Sequence, residues 1–413
     1  MTSPDTSRAS SSKGSGAVAR RVFMHVGAPK TGTTYLQGIL WSNRAALKSA
    51  GLHVIGQGRG DHYRGGHDLR DLPYNPKDPR PDWTGAWDVL AGLALDSDAM
   101  NVVISDEHLA ALTPDQVSRA VKALAPREVH VVYATRNLAR LLPSEWQEFV
   151  KHRSPLTFAD WSQKVFASRQ RGPGKWFWSV HDPVDVVKRW SSGVPIDRIH
   201  VITLPPPSAE KNELWRRFAG VVGVDPDAAT KFDVAGNDSL GWAEAEVLRR
   251  VNIALPESFP RWHHTGLARD VLATKILSPR SRTGRPALPP KVLEQVLARS
   301  ERSLKGLQSS GCEIVGSLDE LKVTDEVGDG EPMPSDEEML EAAVDGIAGL
   351  LVRMGRVRDD RRRTESRLRR QLRESGPVVR ARTRIAGLVD RSRPGAAVLD
   401  RYRAVRARNS SND

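Results

Sequence analysis

Four short runs of apolar, β-branched residues punctuate the first half of the chain. "RVFMHVGA" (21–28), "NVVISDE" (101–107), "EVHVVYATR" (128–136) and "IHVITLP" (199–205) are apolar on successive positions, not alternate ones. That pattern predicts strands buried on both faces, as in a parallel sheet. Between them the apolar spacing is helical. "TGTTYLQGILWSNRAALKSAG" follows the first run, and Gly51 is a stop signal for its helix. Strands alternating with helices predict an α/β fold, a P-loop-type parallel sheet flanked by helices. The stretch 56–85 is rich in Gly, His, Pro and Asp and reads as a long loop of the kind that carries binding residues. From 205 to 310 the pattern is mostly helical, interrupted by "SPRSRTGRPALPP" (278–290).

The pattern also sets domain bounds. Residues 1–20 are mostly Ser, Gly, Ala and Arg, and are expected to be disordered. Residues 21–315 form the α/β domain, 316–340 an acidic, turn-rich linker, and 341–413 a basic helical extension. From about 337 to 375 an apolar-periodic helix turns strongly basic. The net charge of +12 belongs to this extension: Arg353 to Arg408 holds 19 arginines against six acidic residues, a net +13. The rest of the chain is close to neutral. The extension suits three uses: a helical extension that packs on a second copy in a homo-oligomer, peripheral contact with an anionic membrane surface, and, least of all, nucleic acid, for which no binding motif is present. The single cysteine, Cys312, excludes an internal disulfide and a thiolate cluster. With no apolar run of 18 residues and no secretory signal, the expected location is the cytoplasm, with the inner face of the membrane as a place for peripheral contact.

The candidate chemistry starts at the first strand–helix turn. Gly27 and Gly32 bracket four residues, as in the phosphate loop G-x-x-x-x-G-K-[ST]. Backbone amides and a helix N-terminus at such a turn hold anions. However, Thr33 stands where a nucleotide triphosphatase needs lysine, and Lys30 lies inside the loop. Thr33 and Thr34 supply hydroxyls, and no magnesium site is evident. The bland reading is a glycine-rich turn without ligand.

"PKTGTT" resembles the 5'-phosphosulfate loop of sulfotransferases that use 3'-phosphoadenosine-5'-phosphosulfate (PAPS). The resemblance implies that Lys30, Thr31, Gly32, Thr33, Thr34 and Tyr35 bind the 5'-phosphate and sulfuryl group. "VVYATRNLARLLPSEW" extends it. In that family an arginine at a strand end and a serine eight positions on bind the 3'-phosphate, which here implies Arg136 and Ser144. Asn137 is placed to cap the intervening helix. Pro143, next to Ser144, departs from a regular helix and predicts a kink or a shifted start. "RSRTGRP" resembles loosely the family's third phosphate-binding loop and brings in Arg282, with Arg280, Gly284 and Arg285 nearby. A solvated basic turn accounts for it equally well. The resemblance spans roughly residues 20–290 and is nearest to bacterial sulfotransferase-like proteins.

It implies sulfuryl transfer from PAPS to a hydroxyl acceptor, a carbohydrate or glycolipid, with no metal. The family's base is histidine or glutamate. Glu107 and His108, after "ISD", fall at the C-terminal edge of the sheet, where open α/β folds place ligands. Glu107 ranks first and His108 second; otherwise Glu107 is a carboxylate at a helix start. His67 and Asp68, in "RGGHDLRDL", are candidates for contact with the acceptor. His25 reads as a core histidine, and His263 and His264 lack metal-like partners. The rival functions are a small-molecule P-loop kinase, which Thr33 opposes, and a non-catalytic binder of nucleotides or nucleic acid.

Overall fold

The computed structural model describes residues 19–73, 82–232, 239–280, 284, 286–323 and 333–374. Six strands form one sheet: β1 (Arg21–Gly27), β2 (Leu52–Val54), β3 (Asn101–Ser105), β4 (Glu128–Thr135), β5 (Ile199–Thr203) and β6 (Glu313–Val315). Their order is β2-β3-β1-β4-β5-β6, and every pairing is parallel. The four apolar runs are β1, β3, β4 and β5. Their continuous apolarity has a structural cause, because both faces are covered. Val22, Met24, Val26, Val131 and Tyr133 pack on one side with Trp87, Val117 and Trp190. Phe23, Val132, Ala134 and Ile202 pack on the other with Leu36, Ile39, Trp215 and Phe218.

The chain divides into two compact units, residues 1–345 and 346–413. The stretch read as a long loop contains an α-helix, Arg59–Leu69. Its glycines are packing contacts, not loop signals. A Cβ on Gly65 would lie 3.1 Å from Leu90, and one on Gly66 would lie 3.1 Å from Asp106. Residues 74–81 of that stretch lie outside the described residues. The acidic stretch after 316 is not simply a linker either. Leu318–Leu321 forms a 3-10 turn whose Glu320 holds Arg217 at 2.6 and 2.8 Å, docking the turn beside β5.

The described part of the second unit, 346–374, is the continuation of one helix, Asp336–Glu374. Among the described residues no helix is long and apolar enough to cross a membrane.

Candidate functional site

β1 ends between β3 and β4, so the chain leaves the sheet on both sides of it, a switch point where ligands bind in such folds. The turn after β1 is stitched to both neighbours. The Ala28 amide donates to the Ala134 carbonyl at 2.8 Å, and the Asp106 amide to the His25 carbonyl at 3.1 Å. Two glycines make this possible. Gly27 has φ +95°, and a Cβ there would lie 2.9 Å from the Glu107 Cβ. Gly32 has φ +85°, and its Cβ would meet Leu214 at 2.4 Å. A side chain at Gly27 would press on the Glu107 backbone, one at Gly32 would displace the Leu214 side chain, and the positive φ of both strains any residue but glycine. Lys30 itself has φ +60°, an uncommon conformation for a lysine and a mark of constraint at a functional turn.

Helix α1 (Thr33–Ser42) starts at Gly32, and no side chain caps its N-terminus. Its first turn holds Thr33, Thr34 and Tyr35. They border a cavity of about 650 Å³. Lys30, Gly32, Thr33, Thr34 and Tyr35 line it from the loop, Glu107 and His108 from the end of β3, and Arg136 and Ser144 from beyond β4. Nine residues named from sequence thus share one cavity. Thr31 does not line it; it is buried, and its hydroxyl donates to the Ala28 carbonyl at 2.6 Å, which holds the turn closed. Arg136 donates to the Lys30 carbonyl at 3.3 Å, tying loop to strand end. Tyr35 donates to Asn212 at 2.8 Å.

Pro143 breaks nothing. The helix Leu138–Lys151 runs through it, and Asn137 caps it by accepting from the Ala139 and Arg140 amides. Ser144 therefore stays on the cavity side, its hydroxyl donating to the Arg140 carbonyl at 3.3 Å. Arg282 and Arg285 lie outside the described residues. Arg280 is held by carboxylates, Asp345 at 3.0 Å and Glu244 at 3.5 Å.

The charged groups of the cavity are held in pairs. Lys30 Nζ donates to Glu148 Oε2 at 2.6 Å. Burial acts to lower the Lys30 pKa, but the charge and hydrogen bond of Glu148, joined by the charges of Glu145 and Glu107, outweigh it and hold the ammonium above its usual range. Burial would raise Glu148, yet His152 at 3.3 Å, with Lys30 and Lys151, holds it well below the usual carboxylate range. Burial raises Glu107 despite the Thr33 hydroxyl, which donates to it at 2.6 Å. His108 is oriented by Asp106: one carboxylate oxygen accepts from its backbone amide at 2.8 Å and meets Nδ1 at 2.9 Å. Burial opposes protonation of His108, but the charge and hydrogen bond of Asp106, with the Glu107 charge, outweigh it and raise its pKa.

His67 does not line the cavity. It sits behind His108, ring centroids 5.1 Å apart, and is packed on Tyr63 at 3.9 Å. Burial, then His108, pushes its pKa down to about 4, so it is neutral at ordinary pH. Asp68 is also structural: it accepts from the Trp87 amide at 3.0 Å and from Arg119 at 3.2 Å. His25 is a core histidine, hydrogen-bonded to Ser105 at 2.7 Å. Among the described residues no group of His, Cys, Asp and Glu is arranged to hold a metal ion.

Sequence reasoning missed Asp106, Glu148, Lys151 and Arg269. The first had a signal, since carboxylate and imidazole two apart in "DEH" can meet across a turn. Glu148 and Lys151 had another. They follow Ser144 at four and seven positions, one face of the same helix. Arg269 reaches the cavity from a π-helical stretch, His264–Leu277, which no periodicity announced.

No family model matches the chain, and no curated protein matches it. The fold is distantly similar to the crystal structure of a sulfotransferase from Alicyclobacillus acidocaldarius. The TM-score is 0.37 and the identity 18%, over 53% of this chain and 87% of that one. The strand order and pairings by themselves make the chain an α/β protein with an all-parallel six-stranded sheet flanked by helices.

Proposed function

We propose that the protein is a PAPS-dependent sulfotransferase acting on a hydroxyl acceptor. The observation that carries this reading is the convergence of the Lys30–Tyr35 loop, Arg136 and Ser144 on one cavity that His108 also lines. The donor set fits an anionic nucleotide. The N-terminus of α1, the Thr33 and Thr34 hydroxyls and Lys30 suit the 5'-phosphosulfate. Arg136, with its planar fork of donors, and Ser144 suit the 3'-phosphate. When bound, PAPS supplies an activated sulfuryl group.

His108 takes the role of base ahead of Glu107. Its Nδ1 is engaged by Asp106, which leaves Nε2 to accept the acceptor's proton as the new S–O bond forms. The Asp106 carboxylate favours the imidazolium that forms when that nitrogen takes the proton. Glu107 is instead occupied by Thr33 and serves to fix the loop. Lys30 offers positive charge to the bridging oxygen as its bond to sulfur breaks and adenosine 3',5'-bisphosphate departs. Tyr63, Phe149 and Trp176 add aromatic faces to the cavity, which suits a ring-bearing acceptor such as a sugar or a glycolipid headgroup.

Calorimetric titration tests the reading. Adenosine 3',5'-bisphosphate should bind at micromolar levels without added metal. Binding of ATP with magnesium, but not of the bisphosphate, would replace the sulfotransferase with a small-molecule kinase.

A further inference from the structure

The helix Asp336–Glu374 carries a line of large apolar side chains that no described residue covers. Leu340, Val344, Ile347, Leu351 and Met354 are 54–67% exposed. Their spacings are four, three, four and three residues, the repeat of a coiled-coil seam. At about 100° per residue they fall within about 40° of a single line on the helix. Met339 and Ala342 lie on a different face, which is buried against Ala243 and Val247. Leu340 and Val344 therefore lie off the side by which this helix is anchored.

Charge along the same helix is segregated. Residues 336–345 include five carboxylates (Asp336, Glu337, Glu338, Glu341, Asp345) and no basic residue. Residues 346–352, "GIAGLLV", carry no charge. Residues 353–362 include five arginines, 353, 356, 358, 361 and 362, against Asp359 and Asp360. A parallel pair would set arginine against arginine and carboxylate against carboxylate. An antiparallel pair centred on residue 349 sets each acidic segment against the other copy's basic one. The same centre puts Ile347 opposite Leu351 and Val344 opposite Met354. Seam and charge share one symmetry point, although apolar spacing and charge order are independent features of the sequence.

We propose that this helix is a self-association surface, pairing antiparallel with the same helix of a second copy of the chain. An anionic membrane surface is the rival occupant. It would take the arginines but repel the five carboxylates flanking the first half of the seam. A second copy brings Asp336 and Glu337 opposite Arg362 and Arg361, whereas Glu341 and Asp345 already pair with Arg280.

The test uses the full chain. Sedimentation velocity at tens of micromolar should show a dimer. Leu351→Glu places a carboxylate in the seam twice per dimer and should weaken association by about tenfold or more. Leu351 is exposed, so the variant should keep the melting temperature of the dissociated wild type. Orientation is read by disulfide trapping in a Cys312→Ser background. Chains with Val344→Cys and chains with Met354→Cys should cross-link when mixed, and neither should do so alone. Cross-linking within each variant alone would mean parallel pairing and overturn the proposal. So would a wild-type chain that stays monomeric at 100 μM, including one that binds vesicles of anionic phospholipid while monomeric in solution.

Discussion

The cavity and the C-terminal helix are both rich in charge, and they dispose of it in opposite ways. In the cavity Lys30, Glu148, Glu107 and His108 each touch a specific partner at 2.6–2.9 Å. In the helix beyond Arg353 the ion pairs of Arg361 with Glu365 and of Arg363 with Asp360 are both well exposed. Buried charge is costly without a partner, so a site evolved for a charged ligand must satisfy itself while it waits. Surface arginines carry no such penalty and can stay unpaired until another molecule arrives. Paired charges thus mark where a ligand must compete with residues of the protein. Segregated ones mark where it need not.

The comparison breaks first at His108. If its pairing with Asp106 prepares a base, His108→Ala should lower turnover by about 10²–10⁴-fold. It should leave bisphosphate affinity nearly unchanged. Asp106→Asn should lower turnover less, and should move the acidic limb of the pH–rate profile to lower pH, because the imidazolium loses its counter-charge. The assay follows labelled sulfate from PAPS into sugar and lipid extracts. A larger loss in Glu107→Gln than in His108→Ala would return the base to Glu107.

Arg136 gives the next effect in size. Truncating a desolvated charged contact typically costs about 2–5 kcal/mol. Arg136→Ala should therefore weaken bisphosphate binding by about 30-fold or more. Adenosine 5'-phosphosulfate, which lacks the 3'-phosphate, should be affected far less. Equal losses for both ligands would make Arg136 a brace for the Lys30 loop, whose carbonyl it already holds.

How far the sequence led differs between these regions for physical reasons. The four inner strands were legible because burial on both faces writes a continuous apolar run. β2 and β6, three residues each at the sheet edges, are too short to write any pattern. The helix Arg59–Leu69 was misread because its glycines answer to neighbours far along the chain, Leu90 and Asp106, and local composition does not record those. In the site, the loop and Arg136 were legible because they sit where a strand ends, a position that sequence marks. The partners of the charges were not. Lys30 meets Glu148 across 118 residues, and only the fold brings them together.

That pair gives the smallest effect and the sharpest version of the comparison. Glu148 neutralises Lys30 in the ligand-free protein, and an arriving phosphosulfate must share the lysine with a carboxylate that repels it. Lys151 lies 4.0 Å from Glu148, and burial lowers its pKa. Glu148→Gln removes the competing charge, keeps the size of the side chain, and leaves two lysines facing the cavity without their common partner. Like-charge repulsion between them should lower the melting temperature of the free protein. An anion would relieve that repulsion, so bisphosphate affinity should rise, by about tenfold for about 1.4 kcal/mol of removed competition. The gap in melting temperature between free and ligand-bound protein should widen accordingly. Inorganic pyrophosphate should show the same gain, since it meets the loop without needing Arg136. If affinity for both ligands falls, Glu148 does not compete with the ligand but positions Lys30 for it, and pairing in this cavity prepares the cation instead of restraining it.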